Sequence, residues 1–290
     1  KHIITSNKAL VNGFYDELIP LAKEKGVCFR CTAAVGGGIG WLSELERARR
    51  MQTVEAVGGI MNGTCNYILD SMTRLGLSYE DALSQAQALG YAEADPSADV
   101  DGIDTWNKVV ISSNVALGVS VDSATVPAAG IRHITAQDVA AFKEHGYVCK
   151  LVSTGMMEEG KLAAFVQPTL FAAGEPEAAV PANYNLITLV GSASGRMSFY
   201  GQGAGRYPTA YNVVQDCADV LQGRGFYSPY GGKVKAENSL TMRYYVRGEQ
   251  DAWLAENKQE VWGDAVVTGP VEVGQMHAWL AQQPGAFIAA

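Results

Sequence analysis

Apolar residues recur at helical spacing from Leu10 to Lys25 (Leu10, Phe14, Leu18, Leu21, Ala22), and Gly26 ends the run. HIITS before it and GVCFRCTAAV after it read as strands, so the start of the chain predicts a strand–helix–parallel strand unit. Helices are predicted over 42–51, 65–75, 79–89 and 104–117, with Gly90 and Gly118 as stops; Val54–Ile60 reads as extended. Ser78 to Asp81 and Thr135 to Asp138 have the spacing of capping boxes, and the second opens a helix reaching His145. The texture then changes. YVCKLVSTGM, KLAAFVQPTLF, NLITLVG and MSFYGQG are strand-like and separated by turn residues. A helix follows from Pro208 to Leu221, with its proline in the first turn. The tail reads as strand TMRYYVRG, helix 250–258, strand AVVTG, helix 272–282 and a short last strand. The fold class is α/β at the start and α+β after it, a mixed sheet covered by helices.

The 290 residues, 48% hydrophobic, are ample for a packed core and suggest two domains. The net charge of −8, with no Lys/Arg run and no aromatic–basic interleaving, argues against nucleic acid as a partner. No apolar run approaches the ~20 residues of a membrane span. KHIITSNKAL lacks the apolar core and cleavage site of a signal peptide, and five unevenly spaced cysteines fit reduced thiols, so a cytoplasmic setting is expected. Cys28 and Cys31 form a CxxC, yet no second CxxC exists and His2, His133, His145 and His277 are scattered. The pair also lies in a predicted strand, whereas redox pairs open helices; buried structural cysteines are the better reading.

The stretch GYAEADPSADVDGIDTWNK holds five acids, Glu93, Asp95, Asp99, Asp101 and Asp104, then Lys108 followed by VVI. Asp104 and Lys108 are four apart at a helix start and share one face. The acid falls at or beside the N-cap, where free N–H groups and the helix dipole favour a carboxylate. A cap with an ordinary ion pair, worth a few tenths of a kcal/mol, accounts for the two residues taken alone. Trp106, Val109, Val110 and Ile111 shift the balance, because they desolvate the lysine. Desolvation lowers a lysine pKa and a neighbouring carboxylate raises it, the tuning a proton donor needs. Tyr91, Glu93, Asp95 and Asp99 make an acidic rim suited to a substrate with an ammonium group.

These residues resemble the homoserine dehydrogenase family. Five stretches agree in order: KHIITSNKAL, TAAVGGGIG, GGIMNGTCNYIL, GYAEADPSADVDGIDTWNK and FYGQGAGRYPTAYNVVQD, the last ending at Asp216. The resemblance implies NAD(P)-dependent interconversion of aspartate 4-semialdehyde and L-homoserine, on the route to threonine and methionine. It implies that Lys108 donates the proton to the carbonyl oxygen and that Asp104 orients it. Lys8 matches a second lysine between cofactor and substrate. Glu93 matches the carboxylate that binds the substrate amino group, with Gly90 beside it; Asp99 and Thr64 line the same pocket. Asn7, Lys8, Gly203 and Gly205 fall on the cofactor side. The Asn62-Gly63-Thr64 turn read by itself is an ordinary helix entry; beside the matching motif, lining the substrate pocket is a secondary expectation for it. A homodimer or homotetramer is implied as well.

Three departures follow. No strand-linked G-x-G-x-x-G occurs: the runs at Gly36 and Gly201 both break the pattern, so residues 1–32 read as the back end of a Rossmann-like nucleotide-binding domain whose fingerprint half is missing. Residues 33–205 then form the catalytic and dimerisation domain, and 206–235 a helix returning to the nucleotide-binding domain. The family also implies a monovalent-cation site at the backbone carbonyls of Val35, Gly37 and Ile39. Thr32 stands where the family has an acid, and a neutral hydroxyl brings no charge to a hard cation, so no metal is expected. Gly40 replaces a proline, which relaxes the turn. Last, 236–290 resembles a shortened ACT-like appendage, because about 50 residues are few for the full module. Two alternatives remain at this stage: a paralogous dehydrogenase for another small amino or hydroxy acid, and a non-catalytic dimerisation fragment.

Overall fold

The computed structural model describes residues 1–224 and 231–290, so the segment 206–235 expected to return to the nucleotide-binding domain lies partly outside the described residues. Strands β1 (Ile3–Ile4) and β2 (Phe29–Arg30) run parallel, with Ile3 opposite Phe29, and the connection between them is helical. It is two helices where the periodicity predicts one. α1 (Lys8–Gly13) and α2 (Tyr15–Glu24) meet at Phe14, whose φ of −129° leaves the helical region. Of the strand predicted over 26–35, only Phe29–Arg30 pairs. Thr32 donates its N–H and hydroxyl to Asp216, at 2.9 and 2.7 Å, and Thr32–Ala34 coil into a short 3₁₀ turn.

The middle of the chain contributes α3 (Trp41–Arg49), β3 (Val54–Ile60), α4 (Gly63–Leu75), α5 (Tyr79–Ala88), α6 (Ser97–Val100), α7 (Ile103–Leu117), β4 (Ser120–Val121) and α8 (Ala136–Glu144). Ser78 caps α5, and Thr135 with Asp138 completes the capping box of α8, as their spacing predicts. β5 (Tyr147–Glu158), β6 (Lys161–Ala172), β7 (Asn185–Gly191) and β8 (Gly195–Gly201) join β3 in a sheet of order β6-β5-β3-β7-β8. Every neighbour pair in it is antiparallel. α9 (Arg206–Leu221) follows, then β9 (Lys233–Val234), which pairs parallel with β4. The mixed character of the fold thus comes from separate sheets of each kind. α7 packs against β3 and β5 with its apolar residues Val109, Val110, Ile111 and Val115 buried. Gly155 on β5 permits the approach: a Cβ there would lie 2.1 Å from Ser113 Oγ on α7.

The tail holds β10 (Thr241–Met242), β11 (Tyr245–Arg247), α10 (Ala252–Asn257), β12 (Lys258–Trp262), β13 (Ala265–Thr268), β14 (Val271–Glu272), α11 (Val273–Leu280) and β15 (Phe287–Ala289). Strands β12-β13-β11-β15 form an antiparallel sheet in that order, with α10 after β11 and α11 before β15. This is the split βαββαβ arrangement of ferredoxin-like units. Economy of length explains how it fits: β11 has three residues and α10 six. The helix predicted over 250–258 stops at Asn257, because Lys258 already begins β12.

The tail is tied to the rest by buried polar contacts. Asp138 accepts from Tyr245 Oη at 2.7 Å and Arg247 Nε at 2.8 Å. Gln167 on β6 meets Tyr244 Oη at 3.3 Å and His277 Nε2 at 3.0 Å. Burial pulls the His277 pKa down from its usual value to about 4. The unfolded chain therefore binds a proton between pH ~6.5 and ~4 that the folded chain refuses, so acidification through that window costs stability. We expect a loss of about 3 kcal/mol from this residue between pH 6.5 and pH 4. Urea unfolding across the window, with His277→Gln alongside, checks it: the variant's stability should fall less steeply.

Candidate active site

Asp104 is the second residue of α7, not its cap; Gly102 holds the cap position. Its carboxylate turns to three side chains. Oδ2 lies 2.7 Å from Lys108 Nζ, one turn along the same helix, and Oδ1 lies 3.1 Å from Lys8 Nζ. Asn62 Nδ2 donates to Oδ2 at 2.8 Å. Burial by itself raises a carboxyl pKa; here Lys108, Lys8 and the hydrogen bonds outweigh it and hold Asp104 at about 2. Lys108 is 7% exposed, and its ammonium also donates to the Met61 carbonyl at 2.7 Å. An ammonium has three N–H donors; these two contacts leave the third for a ligand.

Lys8 reaches Asp104 from the opposite side. It is the first residue of α1, just beyond the end of β1, and its side chain is 41% exposed. In open α/β sheets ligands bind outside the carboxyl ends of parallel strands, which is where Lys8 stands. Asn12 on α1 donates to Asn107 on α7 at 2.9 Å, which fixes the two helices side by side.

The turn from Met61 to Cys65 lines the third side. Thr64 Oγ1 donates to the Tyr91 carbonyl at 2.6 Å, and Asn62 Nδ2 also donates to Asp99 at 2.7 Å. Gly63 has no room for a side chain: a Cβ would lie 2.6 Å from the Asn183 carbonyl oxygen. Burial pushes the Asp99 carboxyl up, the Asn62 hydrogen bond opposes it, and the charge of Asp104 adds to the rise.

The structure brings together Lys8, Asp104, Lys108, Asp99 and, through Tyr91, Thr64. The acidic rim is sorted into separate duties. Asp95 accepts the Ser97 N–H, Asp101 pairs with Arg132 at 2.6 Å, and the exposed Glu93 carboxylate is unpaired among the described residues. Gly90 is exposed beside it. Asn7 caps α1 by accepting the Leu10 N–H, and Gly205 precedes α9 with φ +112°. Gly203 packs against the Asn185 amide and the backbone beneath Gly37. The Met61 carbonyl escaped the sequence reading, and Asn62 entered it only as part of a turn with a secondary place in the pocket lining. Asn62 carried a signal, since asparagine before a helix is a cap residue, but its second duty depends on α6 and α7 arriving beside it.

Two groups around the carbonyls that the resemblance implies for a cation have protein partners. The Gly37 carbonyl accepts from Asn212 Nδ2, and the Thr32 hydroxyl donates to Asp216. Among the described residues no cluster of His, Cys, Asp and Glu could hold a metal ion. The five cysteines are free, and burial pushes the Cys31 thiol up to about 12, which suits an inert structural residue. Among the described residues no helix is long and apolar enough to cross a membrane.

Fold and site define a class: a parallel βαβ piece abutting a sheet-backed helix whose dry lysine–carboxylate pair suits work on a polarised oxygen. Residues 41–218 match the homoserine dehydrogenase family profile. Homoserine dehydrogenase of Synechocystis is 40% identical over 225 residues, covering 76% of this chain and 52% of that protein. The Bacillus subtilis enzyme is 36% identical over 255 residues, covering 85% and 59%. The chain thus spans little more than half the length of these relatives. Among solved structures, a homoserine dehydrogenase from Thiobacillus denitrificans superposes with a TM-score of 0.86 at 29% identity, over 100% of this chain and 76% of that one. An archaeal homoserine dehydrogenase mutant in complex with NADPH gives 0.66 at 26%, over 77% and 64%. The chain belongs to the homoserine dehydrogenase family.

Proposed function

We propose that the chain carries the substrate site of an NAD(P)-dependent homoserine dehydrogenase, interconverting aspartate 4-semialdehyde and L-homoserine in the cytoplasm as a homodimer or homotetramer. The geometry of Lys108 supports the reading most: an ammonium at 7% exposure, fixed by Asp104 and the Met61 carbonyl with one N–H left over. A bound nicotinamide dinucleotide supplies or takes the hydride. Lys8, at the strand end beside Asp104, fits the nicotinamide end of that group. An archaeal relative solved with NADPH supports a dinucleotide of this type.

In the reducing direction the aldehyde carbon gains a hydride and its oxygen gains negative charge. Lys108, with Lys8 nearby, stabilises that charge, and Lys108 gives its proton to the oxygen. Asp104 keeps the ammonium aimed by holding a second of its N–H groups. In the oxidising direction the neutral Lys108 amine accepts the hydroxyl proton as the carbon loses hydride. Asp99 and Glu93 offer negative charge for the substrate ammonium, which fixes the amino acid's direction in the site. The test is homoserine-dependent reduction of NAD⁺ or NADP⁺ by the protein that carries this chain, followed by nicotinamide absorbance. Reduction with homoserine and not with unaminated hydroxy acids is the expected result. No homoserine-dependent reduction with either dinucleotide overturns the proposal.

A further inference from the structure

Asn62 is 4% exposed, and its whole amide is committed. The oxygen accepts the Cys65 N–H at 2.8 Å, the N-cap contact of α4, which fixes which way the amide faces. The nitrogen has two hydrogens and two acceptors: Asp99 Oδ1 at 2.7 Å and Asp104 Oδ2 at 2.8 Å. One helix start therefore holds two carboxylates from two other elements, α6 and α7. Both belong to the same pocket, one to the rim and one to the lysine pair. From this geometry we infer that Asn62 is a positioning residue for the reaction. Its amide sets the spacing of Asp99 and Asp104 and favours the charged, acceptor-only form of Asp99.

The physical need is clear from the surroundings. Two carboxylates that share one donor repel each other, and the usual relief is that one takes a proton. Lys108 and Lys8 face Asp104, and Cys65 Sγ donates to the Asp99 main-chain oxygen at 3.2 Å. The neighbouring Asp101 is occupied by Arg132. Among the described residues Asp99 forms no ion pair; the Asn62 amide donates to it at 2.7 Å, with lesser help from Thr64 and the charge of Lys108. Capping and bridging are separable here. Serine or aspartate at position 62 can still cap α4, whereas neither can give two N–H bonds to two acids.

The test rests on the proposed dehydrogenase reading for its kinetic arm and is independent of it in its other arm. In the unliganded protein with ¹³C-labelled aspartate carboxyls, the Asp99 signal is assigned by its loss in Asp99→Asn and titrated in the unmutated chain, Asn62→Ser and Asn62→Asp. Asn62→Asp puts a third carboxylate against the pair. We expect the Asp99 titration to move up by at least about one pH unit in Asn62→Asp and by less in Asn62→Ser, with α4 still folded by circular dichroism. In the kinetic arm, kcat/KM for homoserine should fall by about 100-fold in Asn62→Ser, the scale of a small misplacement at a reacting centre. The acidic limb of its pH profile should shift with the titration. An Asp99 titration unchanged in Asn62→Asp overturns the inference. A shifted titration in a protein that never oxidises homoserine leaves Asn62 as the bridge and sinks the dehydrogenase reading alone.

Discussion

Replacing Lys108 by alanine is expected to lower kcat for homoserine oxidation by about 10²–10⁴-fold, the range for a lost proton-transfer group with its charge. The fold should survive. Asp104 keeps Lys8 at 3.1 Å and Asn62 at 2.8 Å, so no buried charge is left alone when the ammonium goes. That distinguishes the substitution from an ordinary broken ion pair, where the orphaned partner carries most of the cost. KM should change far less than kcat, because the charge developing on the substrate oxygen, not the ground-state hydroxyl, is what Lys108 meets. Lys108→Arg is a useful companion. It keeps the charge, but a guanidinium does not give up a proton near neutrality, so it should restore little turnover. Steady-state kinetics on the folded variants decide the matter. An unchanged kcat in Lys108→Ala removes the lysine from the proton-donor role.

The elements that hold the site were legible for specific reasons. α7 has a strong apolar run after Lys108 and a glycine at each end, and the i,i+4 spacing of Asp104 and Lys108 survives into a 2.7 Å contact. Ser78 and Thr135 announced their helices through capping chemistry, which is local. What stayed hidden depends on partners far along the chain. Phe29–Arg30 sits in an apolar stretch that looks like one long strand, and its early end follows from Asp216, 184 residues away from Thr32. Lys150 is another case. On β5 it looks like a polar residue in an alternating strand, yet it is fully buried and donates to Asn66 and Val180 across a distant loop. The split of the first long helix at Phe14 has no Pro or Gly at that residue to mark it; Gly13 stands one position before. The tail sheet was half legible: β11, β13 and β15 fall in predicted strands, while β12 went unread apart from Lys258, the last residue of the predicted helix.

Arg30→Met is expected to destabilise the chain by about 3–5 kcal/mol, a large share of the ~5–15 kcal/mol typical of a folded domain. Arg30 is 2% exposed, on the second strand of the parallel pair. Its Nε lies 2.8 Å from Asp216 and its Nη2 2.9 Å from Asp219, both on α9, with Glu46 of α3 3.8 Å from Nη1. Asp216 is wholly buried and also accepts from the Thr32 N–H and hydroxyl. Methionine fills much of the volume of the arginine stem but leaves Asp216 charged and dry, with two Thr32 donors as its hydrogen-bond partners among the described residues. Solvent cannot reach it, so the cost is that of an uncompensated buried charge and not of lost packing. The double variant Arg30→Met, Asp216→Leu separates the two. Removing both ions eliminates the charge stranded at Asp216 and should regain part of the loss; Asp219 and Glu46 still lack the guanidinium, and the Thr32 N–H has lost its acceptor. Urea unfolding of the two single variants and the double variant measures the coupling. If Arg30→Met is no less stable than the unmutated chain, the guanidinium does not hold α9 against the βαβ piece, and the Gly203–Gly205 turn that leads into α9 must owe its position to the packing around Gly37 instead.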